Sequence, residues 1–79
     1  GKQHLRQETG FLARFDRVYK ALDARFDVRG NDLTTLAVAC LQNNGRLSLR
    51  RRKQYQPRIP PTVFDALEEE CAEMLGSRP

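Results

Sequence analysis

The stretch Phe11-Leu12-Ala13-Arg14-Phe15-Asp16-Arg17-Val18-Tyr19-Lys20-Ala21-Leu22-Asp23-Ala24-Arg25-Phe26 decides the fold class. Its large apolar members are Phe11, Leu12, Phe15, Val18, Tyr19, Leu22 and Phe26. Steps of three and four, broken only by adjacent pairs, trace one stripe along an α-helix, whereas a strand would alternate. Asp16 and Lys20 stand one turn apart, acid first, the order that favours an ion pair on a helix. Thr9 offers an N-cap oxygen, and Arg29-Gly30-Asn31-Asp32 is turn chemistry that stops the helix near Val28. The spacing predicts a helix over about residues 10–27.

Outward from it, the stripe recurs twice. Leu33, Leu36, Ala37, Cys40 and Leu41 predict a helix over about 32–43, capped by Asn31 or Asp32 and stopped by Asn43-Asn44-Gly45. Val63, Phe64, Leu67, Cys71, Met74 and Leu75 predict another over about 61–75, with Thr62 and Asp65 as a capping box and Gly76 as its stop. Between them Ser48 caps a short helix over about 48–56, which Pro57 ends and which carries Arg50-Arg51-Arg52-Lys53. Only Leu49 and Tyr55 are apolar there, so this helix cannot be deeply buried. The Arg46–Leu49 run is the one place where a few residues of strand remain conceivable. Ser77-Arg78-Pro79 is expected to be loose.

The expected architecture is all-α: a small, helix-turn-helix-like bundle of three amphipathic helices plus one short basic helix, forming a single domain over residues 1–79. The three long helices should meet around Phe11, Phe15, Leu22, Leu36, Cys40, Phe64, Leu67 and Cys71. The basic helix should lie on the rim, pinned by Leu47, Leu49 and Tyr55.

Seventy-nine residues suffice for one small domain and not for two. A hydrophobic fraction of 39% with 30% charged residues is that of a soluble globule rather than a disordered tail. No apolar run approaches the roughly 20 residues of a transmembrane helix, and the Gly-Lys-Gln-His start lacks the apolar run of a secretory signal. Cys40 and Cys71 fall on apolar stripes and read as core thiols rather than a disulfide, which points to the reducing cytoplasm. Two cysteines and a single histidine, His4, near the terminus do not make a zinc site.

Net charge is +4, but its distribution says more. Residues 28–60 hold seven basic and one acidic side chain, and residues 61–79 one basic and five acidic. A basic block attracts phosphates or acidic surfaces. The acidic end can equally neutralise it within the fold. Catalytic sets are lacking. His4 has no partner in the periodic core, no glycine-rich phosphate loop occurs, and Glu68-Glu69-Glu70 with Glu73 reads as a solvated face rather than an acid/base pair.

Asn44-Gly45-Arg46-Leu47-Ser48-Leu49-Arg50 resembles the opening of many winged helix-turn-helix domains, with Thr62-Val63 at a fitting distance. The resemblance implies Leu49–Gln56 as the first motif helix and Thr62–Leu75 as the reader. Asp65, Glu68, Glu69, Glu70 and Glu73 would set that reader against phosphates. Shifting the register makes Leu49–Tyr55 the reader and leaves it almost no apolar face to dock. Non-specific phosphate contact survives both objections.

A second resemblance runs through Leu41-Gln42-Asn43-Asn44-Gly45-Arg46-Leu47-Ser48, Arg51-Arg52-Lys53 and Val63-Phe64-Asp65-Ala66-Leu67-Glu68. It covers less than half of the chain. These are similar to the C-terminal stretch of some bacterial Fic-family proteins: an Asn-Gly-x-Leu-Ser turn, a basic helix and a final acidic helix. Fic proteins transfer AMP or related groups to protein hydroxyls through a His, a Phe two residues on and a Gly-Asn-Gly-Arg loop. Here Val38 stands in the place of the His, Cys40 of the Phe and Asn43 of the first Gly. The resemblance therefore implies an appended helical domain of a longer protein, with no catalytic residue carried over.

The expected function is that of a non-catalytic accessory domain. Its binding surface is expected at Arg46, Arg50, Arg51, Arg52, Lys53, Arg58 and Tyr55. The partner is an acidic protein surface or, alternatively, a nucleic-acid phosphate backbone. No cofactor, metal, membrane or small-molecule substrate is expected.

Overall fold

The computed structural model describes the backbone of residues 2–76 and the side chains of residues 10–76. Four helices follow one another: α1 (Lys2–Asp23), α2 (Asp32–Gln42), α3 (Leu49–Lys53) and α4 (Pro61–Leu75). No strand occurs among the described residues, so the Arg46–Leu49 run is not one. α1, α2 and α4 pack pairwise, each hiding a stripe that it cannot bury alone. Val18 and Leu22 of α1, Leu33, Leu36, Ala37 and Cys40 of α2, and Val63, Phe64, Leu67 and Cys71 of α4 form their common core.

Helix boundaries depart from the sequence reading in ways that have local causes. α1 begins at Lys2, so Thr9 is interior and not a cap. Lys2-Gln3-His4-Leu5-Arg6-Gln7-Glu8 is rich in good helix formers, and propensity extends the helix beyond the apolar stripe. At its other end the helix stops at Asp23, short of Phe26. The chain instead turns, with the Arg25 and Phe26 N–H groups donating to the Leu22 carbonyl at 3.1 and 2.9 Å. Phe26 still reaches the core edge. Periodicity registers which side a residue lands on, and a turn can deliver the same side as a helix.

α2 starts after Asn31, which makes no side-chain cap bond. α4 starts at Pro61 with Pro60 as its N-cap, so Thr62 lies inside the helix and the capping box does not form. Proline at the first helical position loses no bond, because that N–H has no intrahelical partner. α3 is shorter than expected and begins as expected: Ser48 Oγ accepts the Arg51 N–H at 3.1 Å. Gly76 closes α4 in the left-handed conformation.

The core itself is shifted toward α2 and α4. Phe11 and Phe15 are half-buried at its edge rather than central. Leu49 is 75% exposed and anchors nothing, while Leu47 and Ile59 are buried. Tyr55 packs partly against the core. Cys40 and Cys71 are fully buried free thiols on facing helices. A hydrogen bond with Cys71, then burial, pushes the Cys40 thiol far up from its ordinary value. His4's side chain and residues 77–79 lie outside the described residues.

Candidate interaction surface

The six cations from Arg46 to Arg58 divide into two sets. Arg52 is the internal one. Its side chain, 19% exposed, reaches from α3 to α4, where Nη2 lies 2.7 Å from Glu68 Oε1 and Nη1 3.3 Å from Asp65 Oδ1. The guanidinium also sits over the Phe64 ring, 5.5 Å from its centroid. Burial works against the charged guanidinium, but the hydrogen bonds and charges of Glu68 and Asp65 outweigh it and hold the group above its ordinary value. The other Glu68 oxygen accepts the Leu47 N–H at 2.7 Å. Glu68 is thus a structural clasp and not part of a solvated face.

Arg58 is likewise committed. Its Nη1 pairs with Asp32 at the start of α2, and its guanidinium lies 5.7 Å from the Tyr55 ring centroid. Arg58 remains largely exposed, so this pair is a surface tie rather than a buried one.

Arg46, Arg50, Arg51 and Lys53 form the second set. None of them has an ion pair among the described residues. Arg46, Arg50 and Lys53 are exposed, and Arg51 is half-buried. The short α3 fans Arg50, Arg51 and Lys53 around about one turn, and Arg46 precedes its cap in the chain. Of the seven expected surface residues, four are therefore uncommitted cations, two hold the fold together, and Tyr55 stacks beneath one of those two.

Beside Arg51 lie two depressions that sequence reading missed. One, of about 410 Å³, is bounded by Asn43, Arg46, Leu47, Ser48 and Arg51. The other, of about 300 Å³, runs along Thr34, Thr35 and Val38 of α2 and also reaches Arg51. Both contain Ala39 and Gln42. The signal for them was the lack of charge along α2 after Asp32, which the apolar stripe alone does not explain.

No triad of His, Cys, Asp or Glu side chains among the described residues is placed to hold a metal ion. Nor is any described helix long and apolar enough to cross a membrane. Compared with family models, curated proteins and solved structures, the chain finds no match.

Proposed function

We propose that this chain is a non-catalytic accessory domain that engages an acidic partner protein through Arg46, Arg50, Arg51 and Lys53. One observation carries the reading: among the described residues these four cations have no ion pair, while Arg52 and Arg58 have theirs. A fold that needed its whole basic block for internal neutralisation would pair Glu69 and Glu73 with it, and both are exposed without an ion pair among the described residues. The two buried free thiols support a reducing compartment, the cytoplasm.

The alternative, a helix-turn-helix-type nucleic-acid-binding domain, relies on the same cations touching phosphates. Its difficulty is geometric. α3 has five residues and spans only about 7.5 Å, while α4 buries one face in the core and turns Glu69 and Glu73 to solvent. The apolar floor beside Arg51 favours a protein partner over a phosphate chain.

Titration with poly-L-glutamate and with a mixed-sequence DNA duplex of matched charge, each at low and physiological salt, tests the choice. Polyglutamate is expected to bind the intact chain and not a variant with Arg46, Arg50, Arg51 and Lys53 changed to Ala. Duplex affinity well above that for polyglutamate at physiological salt would overturn the protein reading in favour of nucleic acid.

A further inference from the structure

A helix with one face in a core ordinarily carries charge on the other. α2 does not. From Leu33 to Gln42 it has no charged residue on any side. Thr34, Val38 and Ala39 lie outside the buried core and are still half-covered, because Arg51 and the Leu47–Ser48 segment rise beside them. The two depressions share Ala39, Gln42 and Arg51, and so form one groove along α2. Val38 and Ala39 give its Thr34–Ala39 end an apolar floor, while Gln42, Asn43 and Ser48 make the end beside Leu47 more polar. From Thr34 to Asn43 it runs about 14 Å at roughly 1.5 Å per residue. That length matches about four residues of extended chain.

Two cations mark the groove. Arg51 stands where the two depressions join, half-buried and with no ion pair among the described residues. Arg46 stands in the depression beside the Asn43–Ser48 turn. An arginine whose stem lies along apolar surface and whose head is uncommitted is placed to receive a carboxylate that arrives with an apolar neighbour.

We infer that this groove takes a short acidic peptide segment in which an aliphatic side chain is flanked by Asp or Glu. The aliphatic group covers Val38 and Ala39, and the carboxylates meet Arg51 and Arg46. The inference rests on the acidic-partner reading above and names the chemistry of the segment that is recognised. A duplex lacks an aliphatic group to cover that floor, and the groove offers its phosphates only two cations.

Panning a phage-displayed random-peptide library on the immobilised chain tests the inference, followed by affinity measurement with the synthesised consensus peptide. The expected consensus has at least two acidic residues bracketing an aliphatic one. Its binding should fall about tenfold or more in Arg51→Ala. It should fall severalfold in Val38→Ser, with poly-L-glutamate binding unchanged in that variant. Thr35→Glu alters only an exposed position and should weaken the peptide as well, so a folding defect in Val38→Ser would not cloud the result. No consensus, a basic consensus, or a peptide indifferent to Arg51→Ala and Thr35→Glu overturns the groove. If polyglutamate still binds in that case, only the groove fails. If polyglutamate does not bind the unaltered chain, the acidic-partner reading fails with it.

Discussion

Arg52 and Glu68 are clasped across the gap between α3 and α4, at 2.7 Å from Nη2 to Oε1. The same carboxylate holds the Leu47 N–H with its other oxygen. One side chain therefore fixes both the chain entering α3 and the last turn of α3 itself. This matters because α3 has no buried residue of its own. Its orientation, and with it the display of Arg50, Arg51 and Lys53, is set by polar contacts rather than by apolar packing.

Removing Glu68 should consequently cost more than removing any other acidic residue of α4. Glu68→Ala leaves a largely buried guanidinium and a backbone N–H without their acceptor, an expected loss of about 2–3 kcal/mol. Asp65 is 69% exposed, and Asp65→Ala should change stability by no more than about 0.5 kcal/mol. Glu68→Gln keeps an acceptor for Leu47 while losing the charge, and should fall between them. Urea denaturation midpoints of the three variants give the order directly, and equal losses for Glu68→Ala and Asp65→Ala would contradict the clasp.

The clasp also marks where the sequence stops being informative. The three long helices were legible because each repeats an apolar step of three or four, and Ser48 and Gly76 were legible because their positions need a cap oxygen and a left-handed backbone. The Arg52 pairing was not. Four consecutive cations look alike in sequence, and only the placement of α3 beside α4 selects one of them to meet Glu68. Ile59 was hidden for a related reason. It sits between Arg58 and Pro60, in a loop with no period to flag burial. The groove beside Arg51 requires a surface between two elements, which no single-helix pattern describes.

Core position, rather than hydrophobicity, should decide the effect of three aliphatic residues near α3. Leu47→Ala and Ile59→Ala remove buried side chains and are expected to cost about 2–4 kcal/mol each. Leu49→Ala, at a site 75% exposed, should stay within about 0.5 kcal/mol. Thermal unfolding followed by circular dichroism separates the two classes, and a large effect at Leu49 would mean that α3 docks through it after all.

The division of cations predicts a salt dependence for any duplex binding at low ionic strength. The four uncommitted cations between Arg46 and Lys53 give a log–log slope of about −3.6, against roughly −5.4 if Arg52 and Arg58 also reached phosphates. Arg50→Ala should flatten the slope by about 0.9, because its side chain is exposed and has no ion pair among the described residues. Lys53→Ala should do the same. Asp65 and Glu68 already occupy Arg52, so Arg52→Gln, which keeps a donor for Glu68 and removes the charge, should leave the slope untouched. Fluorescence anisotropy over a salt series measures all four proteins, and a flatter slope in Arg52→Gln would show that Arg52 leaves its clasp on binding.

Both thiols should be silent in the native state. Cys40 and Cys71 have no exposed surface, and the Cys40 thiol is held in its protonated form by its hydrogen bond with Cys71 and by burial. Labelling with an aromatic disulfide reagent at mildly alkaline pH should proceed only through opening of the bundle. For a domain of about 5 kcal/mol stability that means rates slowed by about three and a half orders of magnitude relative to the unfolded chain. Rapid labelling of either thiol without denaturant would place a channel between α2 and α4 that static packing does not reveal.

Two glycines with left-handed backbones offer a final comparison, because they differ in what surrounds them. Gly76 has φ +64°, and a Cβ there would meet nothing within 4 Å. Gly45 has φ +88°, and its Cβ would stand 3.4 Å from the Ala72 backbone nitrogen and 3.6 Å from Leu75 Cδ1. Gly76→Ala should therefore cost the backbone strain alone, about 1 kcal/mol, and less if the end of α4 unwinds to relieve it. Gly45→Ala carries similar strain in a buried turn that cannot unwind, and its methyl comes into van der Waals contact with the α4 backbone. The expected cost is about 2 kcal/mol, with a lowered denaturation midpoint and an unchanged slope. If the two substitutions prove equally costly, the Asn43–Leu47 turn does not rest on α4, and the wall that Arg46 and Asn43 give to the groove loses its support.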